Sequence, residues 1–197
     1  MEQRLNCKIV LLGNSGVGKT SLVMRWTTGN FQQSIKTTIG SNHQRKTVTI
    51  DKYDVDLYLW DTAGQEQYRA LTPLYTRSAS AAIITASIDD EGSFEALQTW
   101  IDLLSSSCQR TPPMILAVNK IDLMNQPEAV QLSTEEIEAR YLPLFSSIFF
   151  VSAATGEGVD TVFMQAAQSA YHYIREDPQQ QIKPLMENEN SGKKECC

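Results

Sequence analysis

Short apolar runs alternate with stretches of helical spacing along this chain. Ile9-Val10-Leu11-Leu12, Ala81-Ala82-Ile83-Ile84, Met114-Ile115-Leu116-Ala117-Val118 and Ile148-Phe149-Phe150-Val151 are apolar at every position. Strands buried on both faces, as in a parallel sheet, carry this pattern. Thr47-Val48-Thr49-Ile50 and Val55-Asp56-Leu57-Tyr58-Leu59-Trp60 instead alternate, and Asp51-Lys52-Tyr53-Asp54 between them suits a hairpin. Phe94, Leu97, Trp100, Ile101 and Leu104 recur at helical spacing. Ser133 and Glu136 form a capping box that opens another helix. Val159, Val162, Phe163, Ala166, Ala170 and Ile174 predict a final amphipathic helix. Strands alternating with helices imply a three-layer α/β domain.

The pattern stops near Glu176. Beyond it only Ile182, Leu185 and Met186 are large and apolar, so too little surface can be buried to fold. The expected organisation is a domain over 5–175 and a flexible tail over 176–197. A chain of 197 residues suits one domain with a tail. The 23 acidic residues exceed the 17 basic ones, and no strong basic run is present, which argues against a nucleic-acid partner. No apolar run reaches transmembrane length. Met1-Glu2-Gln3-Arg4 is polar and does not resemble a signal peptide, so a cytosolic site is expected. Cys7 and Cys108 lack metal-ligand spacing and are expected as small core residues.

Chemistry enters with Gly13-Asn14-Ser15-Gly16-Val17-Gly18-Lys19-Thr20, which directly follows an apolar run. It fits G-x-x-x-x-G-K-[ST], a loop whose backbone N–H groups converge on phosphate oxygens. Lys19 is expected to reach the outer phosphates and the Thr20 hydroxyl to ligate Mg²⁺. Ser15, Gly16, Val17, Gly18, Lys19, Thr20 and Ser21 are therefore candidate nucleotide-binding residues. Trp60-Asp61-Thr62-Ala63-Gly64-Gln65-Glu66 lies at a strand end. Asp61 suits a carboxylate that holds Mg²⁺ through a water, Gly64 can bring its N–H to a γ-phosphate, and Gln65 can orient an attacking water. In Asn119-Lys120-Ile121-Asp122 the Asp122 carboxylate can accept from the N1–H and exocyclic amine of guanine, donors that adenine lacks. Asn119 would tie loops together near the base, and the Lys120 stem would cover a ring face. Thr38, in Thr37-Thr38-Ile39-Gly40, is a further candidate Mg²⁺ ligand. Ser152-Ala153 can present an N–H to guanine O6.

In this order the five segments resemble the Ras superfamily of small GTPases over roughly residues 5–175, and most of all its Rab family. Trp60 before Asp-Thr-Ala-Gly-Gln-Glu, Tyr68-Arg69 after it, and the terminal Cys196-Cys197 carry that resemblance. It implies a P-loop NTPase fold: a six-stranded, mostly parallel sheet with one antiparallel edge strand and about five helices. It implies GTP or GDP as the nucleotide, Mg²⁺ as cofactor, and Gln65 with Lys19 as the catalytic residues. Phe31 matches the aromatic that packs on guanine. His43, Trp60 and Tyr75 match the effector-binding aromatic triad, with His43 standing where the family usually has Phe. Ser152-Ala153-Ala154 stands where the family has Ser-Ala-Lys. Tyr68 to Tyr75 resembles the endosomal subgroup. The implied partners are an exchange factor, an activating protein, a prenylation escort, a GDP-dissociation inhibitor and effectors.

Cys196 and Cys197 end the chain, so they form no C-a-a-X box. By resemblance both carry geranylgeranyl groups. Two lipid chains anchor stably where one chain without a basic patch does not, and Lys193-Lys194 is no polybasic run. The implied location is the cytoplasmic face of an intracellular membrane, exchanging with cytosol. The expected function is a GTP-driven switch of vesicle traffic. A nucleotide-dependent binding module without useful hydrolysis, or a P-loop ATPase or nucleoside kinase, are the other readings.

Overall fold

A computed structural model describes residues 4–126 and 132–176. The strands are β1 (Leu5–Leu12), β2 (Ser41–Ile50), β3 (Tyr53–Thr62), β4 (Ala81–Ser87), β5 (Met114–Asn119) and β6 (Ser147–Phe150). They form one sheet in the order β2-β3-β1-β4-β5-β6. Only β2 pairs antiparallel; the other neighbours are parallel. The α-helices among the described residues are α1 (Lys19–Thr28), α2 (Thr72–Thr76), α3 (Glu91–Glu95), α4 (Leu97–Ser107), α5 (Thr134–Tyr141) and α6 (Val159–Glu176). Ala96 alone separates α3 from α4 and keeps a helical backbone, so these two act as one interrupted helix and the expected count of five holds.

The all-apolar runs are explained by two cores, one on each face of the sheet. Ile9 and Leu11 of β1 pack with Leu57, Leu59, Trp26 of α1 and Phe163 of α6. Their neighbours Val10 and Leu12 point the other way, toward Ile84, Leu116, Phe94, Trp100 and Tyr141. Cys7 is fully buried in the first core, and burial pushes its thiol up to about 12. Cys108 is half-buried, and its thiol lies 3.4 Å from the Thr76 carbonyl oxygen.

β2 starts at Ser41, well before the Thr47 expected from alternation. It is an edge strand, and its exposed positions Asn42, His43, Arg45, Thr47 and Thr49 leave little apolar signal. Asp51 and Lys52, at φ 48° and 74°, make a two-residue connection to β3 with both residues left-handed. The Ser133 capping box forms as expected: Ser133 Oγ accepts from the Glu136 N–H at 3.2 Å, and the Ser133 N–H donates to Glu136 Oε2 at 2.9 Å.

The C-terminal ends of β1, β3, β4, β5 and β6 emerge along one edge of the sheet. The chain winds outward from β1 in both directions, and the crevice at such a reversal is where ligands bind in open α/β sheets. The segments singled out for nucleotide chemistry gather at this edge: Gly13–Gly18, Thr38, Gly64, Asp122 and Ser152-Ala153 on or next to its loops, and Asp61 and Asn119 at the strand ends. Of the expected tail only Glu176 is described, as the last residue of α6; the rest, including Cys196 and Cys197, falls outside the described residues.

Lys8 supports the outer half of the sheet. Its ammonium donates to the Arg77 carbonyl at 2.9 Å and lies 4.3 Å from the centre of the Trp60 ring. Burial lowers its pKa to about 8. An unfolded lysine keeps its proton to about 10.4. Between those values the unfolded chain holds more protons, so rising pH stabilises the fold. Urea midpoints of the wild type should therefore gain on those of Lys8→Met between pH 7.5 and 9.5; parallel pH profiles would contradict this.

Candidate functional site

The loop from Gly13 to Gly18 connects β1 to α1. Lys19 opens α1 and is 6 % exposed. Its ammonium donates to the carbonyls of Gly13 and Asn14, both at 2.8 Å, which stretches the side chain back along the loop. Burial lowers its pKa to about 8, opposed by the nearby Asp61 carboxylate. The unpaired N–H groups and dipole at the start of α1 favour an anion in the loop. Gly18 is required twice over: its φ is 96°, and an added Cβ would lie 2.3 Å from Asn119 Nδ2. Gly64 lies flat against the same loop, since a Cβ there would come within 2.5 Å of the Ser15 nitrogen.

A second corner gathers oxygens. Thr20 Oγ1 lies 2.9 Å from Thr38 Oγ1 and donates to Asp61 Oδ2 at 2.7 Å, and Thr38 Oγ1 is 3.5 Å from that same oxygen. Asp61 is 3 % exposed, and its Oδ1 is buried without a hydrogen-bond partner among the described residues. Burial raises the Asp61 pKa against the pull of Thr20, Lys19 and Thr38. Hydroxyls and a carboxylate are hard donors suited to Mg²⁺, which also keeps waters and takes phosphate oxygens. The orphaned Oδ1 is the atom such a ligand sphere would satisfy, so these residues fit the ion.

The third corner is built from β5 and β6. Asn119 is 1 % exposed; its Nδ2 donates to the Val17 carbonyl at 2.8 Å and its Oδ1 accepts from the Ala153 N–H at 3.1 Å. Lys120 has a left-handed backbone, φ 66°, and its ammonium pairs with Asp89 at 3.2 Å. Asp122 Oδ1 accepts from the buried Ser152 hydroxyl at 2.5 Å, which restrains the carboxylate from the protein side.

These corners enclose a cleft of about 570 Å³. Of the sequence-expected nucleotide residues, Ser15, Gly16, Gly18, Lys19, Thr20, Ser21, Phe31, Thr38, Gly64, Asn119, Lys120, Asp122, Ala153 and Ala154 line it. Val17 is fully buried and contributes its carbonyl to Asn119. Asp61 and Ser152 stand behind the lining and act through Thr20 and Asp122. Gln65 does not line the cleft: its Oε1 accepts from Gln67 Nε2 at 3.0 Å. Gln32, Gln33, Ile35, Lys36 and Asp89 also line it and carried no motif to find them by. His43, Trp60 and Tyr75 form a row of rings away from the cleft, with centroids 5.7 and 6.1 Å apart.

A sequence model of the Ras family matches residues 8–172. The chain belongs to the Ras family. It is 38 % identical over 168 residues to Ras-related protein RABF2a of Arabidopsis thaliana, covering 84 % of this chain and 82 % of that protein. Over 161 residues it is 40 % identical to human Ras-related protein Rab-30, covering 81 % and 77 %. Ras-related protein Rab-5A of Dictyostelium discoideum is 36 % identical over 196 residues, covering 96 % and 94 %. Within the Ras family this is a Rab-type small GTPase, a GTP-binding and GTP-hydrolysing switch in vesicle traffic.

The Ser152 hydroxyl offers a direct test of the third corner. Ser152→Ala should weaken GDP binding roughly tenfold, the equivalent of losing one hydrogen bond to a charged group. Equilibrium titration with a fluorescent GDP measures this, and unchanged affinity would mean that Asp122 needs no such support.

Proposed function

We propose that the cleft holds GTP or GDP with Mg²⁺, and that loss of the third phosphate releases the two loops bearing Thr38 and Gly64. The observation that carries this is the convergence of Thr20, Thr38 and Asp61 around the orphaned Asp61 Oδ1, next to Lys19. Thr38 and Gly64 belong to separate loops, yet both line the cleft, Thr38 beside Thr20 and Gly64 against the backbone of Asn14 and Ser15. Each loop gains a contact only while the γ-phosphate is present, which is how a switch segment is ordered and released.

In this reading Ser15, Gly16, Val17, Gly18, Lys19, Thr20 and Ser21 cradle the phosphates. Asp122 reads the guanine N1–H and amine, Lys120 and Phe31 cover its ring faces, and the Ser152-Ala153-Ala154 loop meets O6. Thr20, Thr38 and Asp61 would hold Mg²⁺, which when bound supplies positive charge at the β- and γ-phosphates. Lys19 exchanges its carbonyl partners for phosphate oxygens and stabilises the charge of the transition state. Gln65 leaves Gln67 and orients the attacking water. No arginine lines the cleft among the described residues, so unaided turnover should be slow and an activating protein should be needed.

Among the described residues no helix is long and apolar enough to cross a membrane. Lipid chains on Cys196 and Cys197 are the proposed attachment to the cytoplasmic face of an intracellular membrane. An escort and a GDP-dissociation inhibitor would carry the lipidated chain through the cytosol. An exchange factor would load GTP, and effectors would read the row His43, Trp60 and Tyr75.

Single-turnover hydrolysis should run at roughly 10⁻⁴ to 10⁻³ s⁻¹ without an activator. Gln65→Leu should lower it further at unchanged GTP affinity; equal rates in both proteins would remove Gln65 from the chemistry. Excess ATP should fail to displace labelled GDP. In cells, replacing Cys196 and Cys197 by serine should move the protein from membranes to cytosol, and an unchanged distribution would defeat the anchoring claim.

A further inference from the structure

Arg25 lies near the C-terminal end of α1 and does not itself line the cleft. Among the described residues its guanidinium donates only to backbone carbonyls. Nε reaches the Ala153 oxygen at 2.7 Å, Nη2 the Ala154 oxygen, and Nη1 the Gly29 oxygen at 2.8 Å. The same group stands 5.8 Å from the centre of the Phe31 ring, within range of a cation–π contact. One side chain thus joins two walls of the cleft that are far apart in sequence: the loop after β6 and the segment after α1.

From this geometry we infer that Arg25 is a positioning residue for the guanine base, and that it governs how long a nucleotide stays bound. The peptide group is planar and trans, so the Ala153 carbonyl and the Ala154 N–H point in opposite directions. Gripping that carbonyl from the α1 side turns the Ala154 N–H away from α1. The Ala153 N–H is already fixed by Asn119 Oδ1. Asn119 and Arg25 together therefore set both amides of the loop. The residue at 154 is alanine and has no polar side chain with which to hold the loop itself. A planar fork with donors at fixed angles can hold neighbouring carbonyls at once, whereas a lysine ammonium is a point charge on a flexible stem.

This inference rests on the reading that Ala153 and Ala154 meet the base. The test is dissociation of mant-GDP from the full chain, chased with unlabelled GDP, in Mg²⁺ and again in EDTA. Arg25→Gln should release mant-GDP about tenfold faster or more, as expected for losing at least one charge-assisted hydrogen bond. Arg25→Lys should fall between it and the wild type. EDTA should accelerate all three by the same factor, because the oxygen corner is untouched. Thr28→Ala is the control for a mere effect on the end of α1. The exposed Thr28 hydroxyl donates to the Met24 carbonyl at 2.8 Å and accepts from the Asn30 N–H at 3.2 Å, and it neither bonds Arg25 nor lines the cleft. Thr28→Ala should lower the melting temperature and leave the dissociation rate near that of the wild type. If Arg25→Gln and Arg25→Lys both release mant-GDP at the wild-type rate, or if Thr28→Ala accelerates release as much as they do, the inference is overturned. Should Arg25→Gln not fold, Arg25→Lys against Thr28→Ala decides. A wild-type chain that takes up no mant-GDP would instead remove the functional reading beneath it.

Discussion

The Asn119 carboxamide spends both of its ends on backbone: it donates to Val17 in the phosphate loop and accepts from Ala153 in the loop after β6. It sits at the C-terminal end of β5, so the sheet itself sets its position. Buried amides must be paired, and here the pairing uses loops that have no regular hydrogen-bond ladder of their own. The close approach is tight enough that Gly18 has no room for a side chain. Phosphate end and base end are thereby held at one separation. The cleft is a rigid frame on that side, while the loops bearing Phe31, Thr38 and Gly64 close it from the other.

The frame side carries Lys19, whose proton is weakened by burial, with Thr20 beside it, and the loop side brings the Thr38 hydroxyl and Lys36. Asp61 lies between them, its carboxylate unfavourably buried and only half satisfied. Lys19 donates to two carbonyls, and Thr20 and Thr38 share one carboxylate oxygen.

Much of this was legible in the sequence, for a physical reason. Strands buried on two faces write themselves as unbroken apolar runs, and β1, β4 and β5 were readable that way, whereas β6 is an equally apolar edge strand whose residues are only half-buried. Backbone demands leave equally plain marks, as with Gly18 and the Ser133 capping box. The polar half of β2 left none, because a strand with one neighbour and an open face is free to be polar. Arg25 escaped notice for a related reason. It acts on carbonyl groups, which every residue has, so no partner residue betrays it. Asp89 and the stretch Gln32 to Lys36 reach the cleft through topology alone. Gln65 was legible as a residue type, yet its present partner, Gln67, could be found only in three dimensions.

Trp60 and Asp61 are consecutive in β3, one ringed by His43 and Tyr75, the other facing Thr20 and Thr38. A strand has no slack between neighbours, and the ladder to β1 holds both in register. By thermodynamic reciprocity, a partner on the rings whose affinity rises with the nucleotide must raise the affinity for that nucleotide by the same factor. A receiver seated there would then also act as a latch, tightening the hold on the nucleotide it reads.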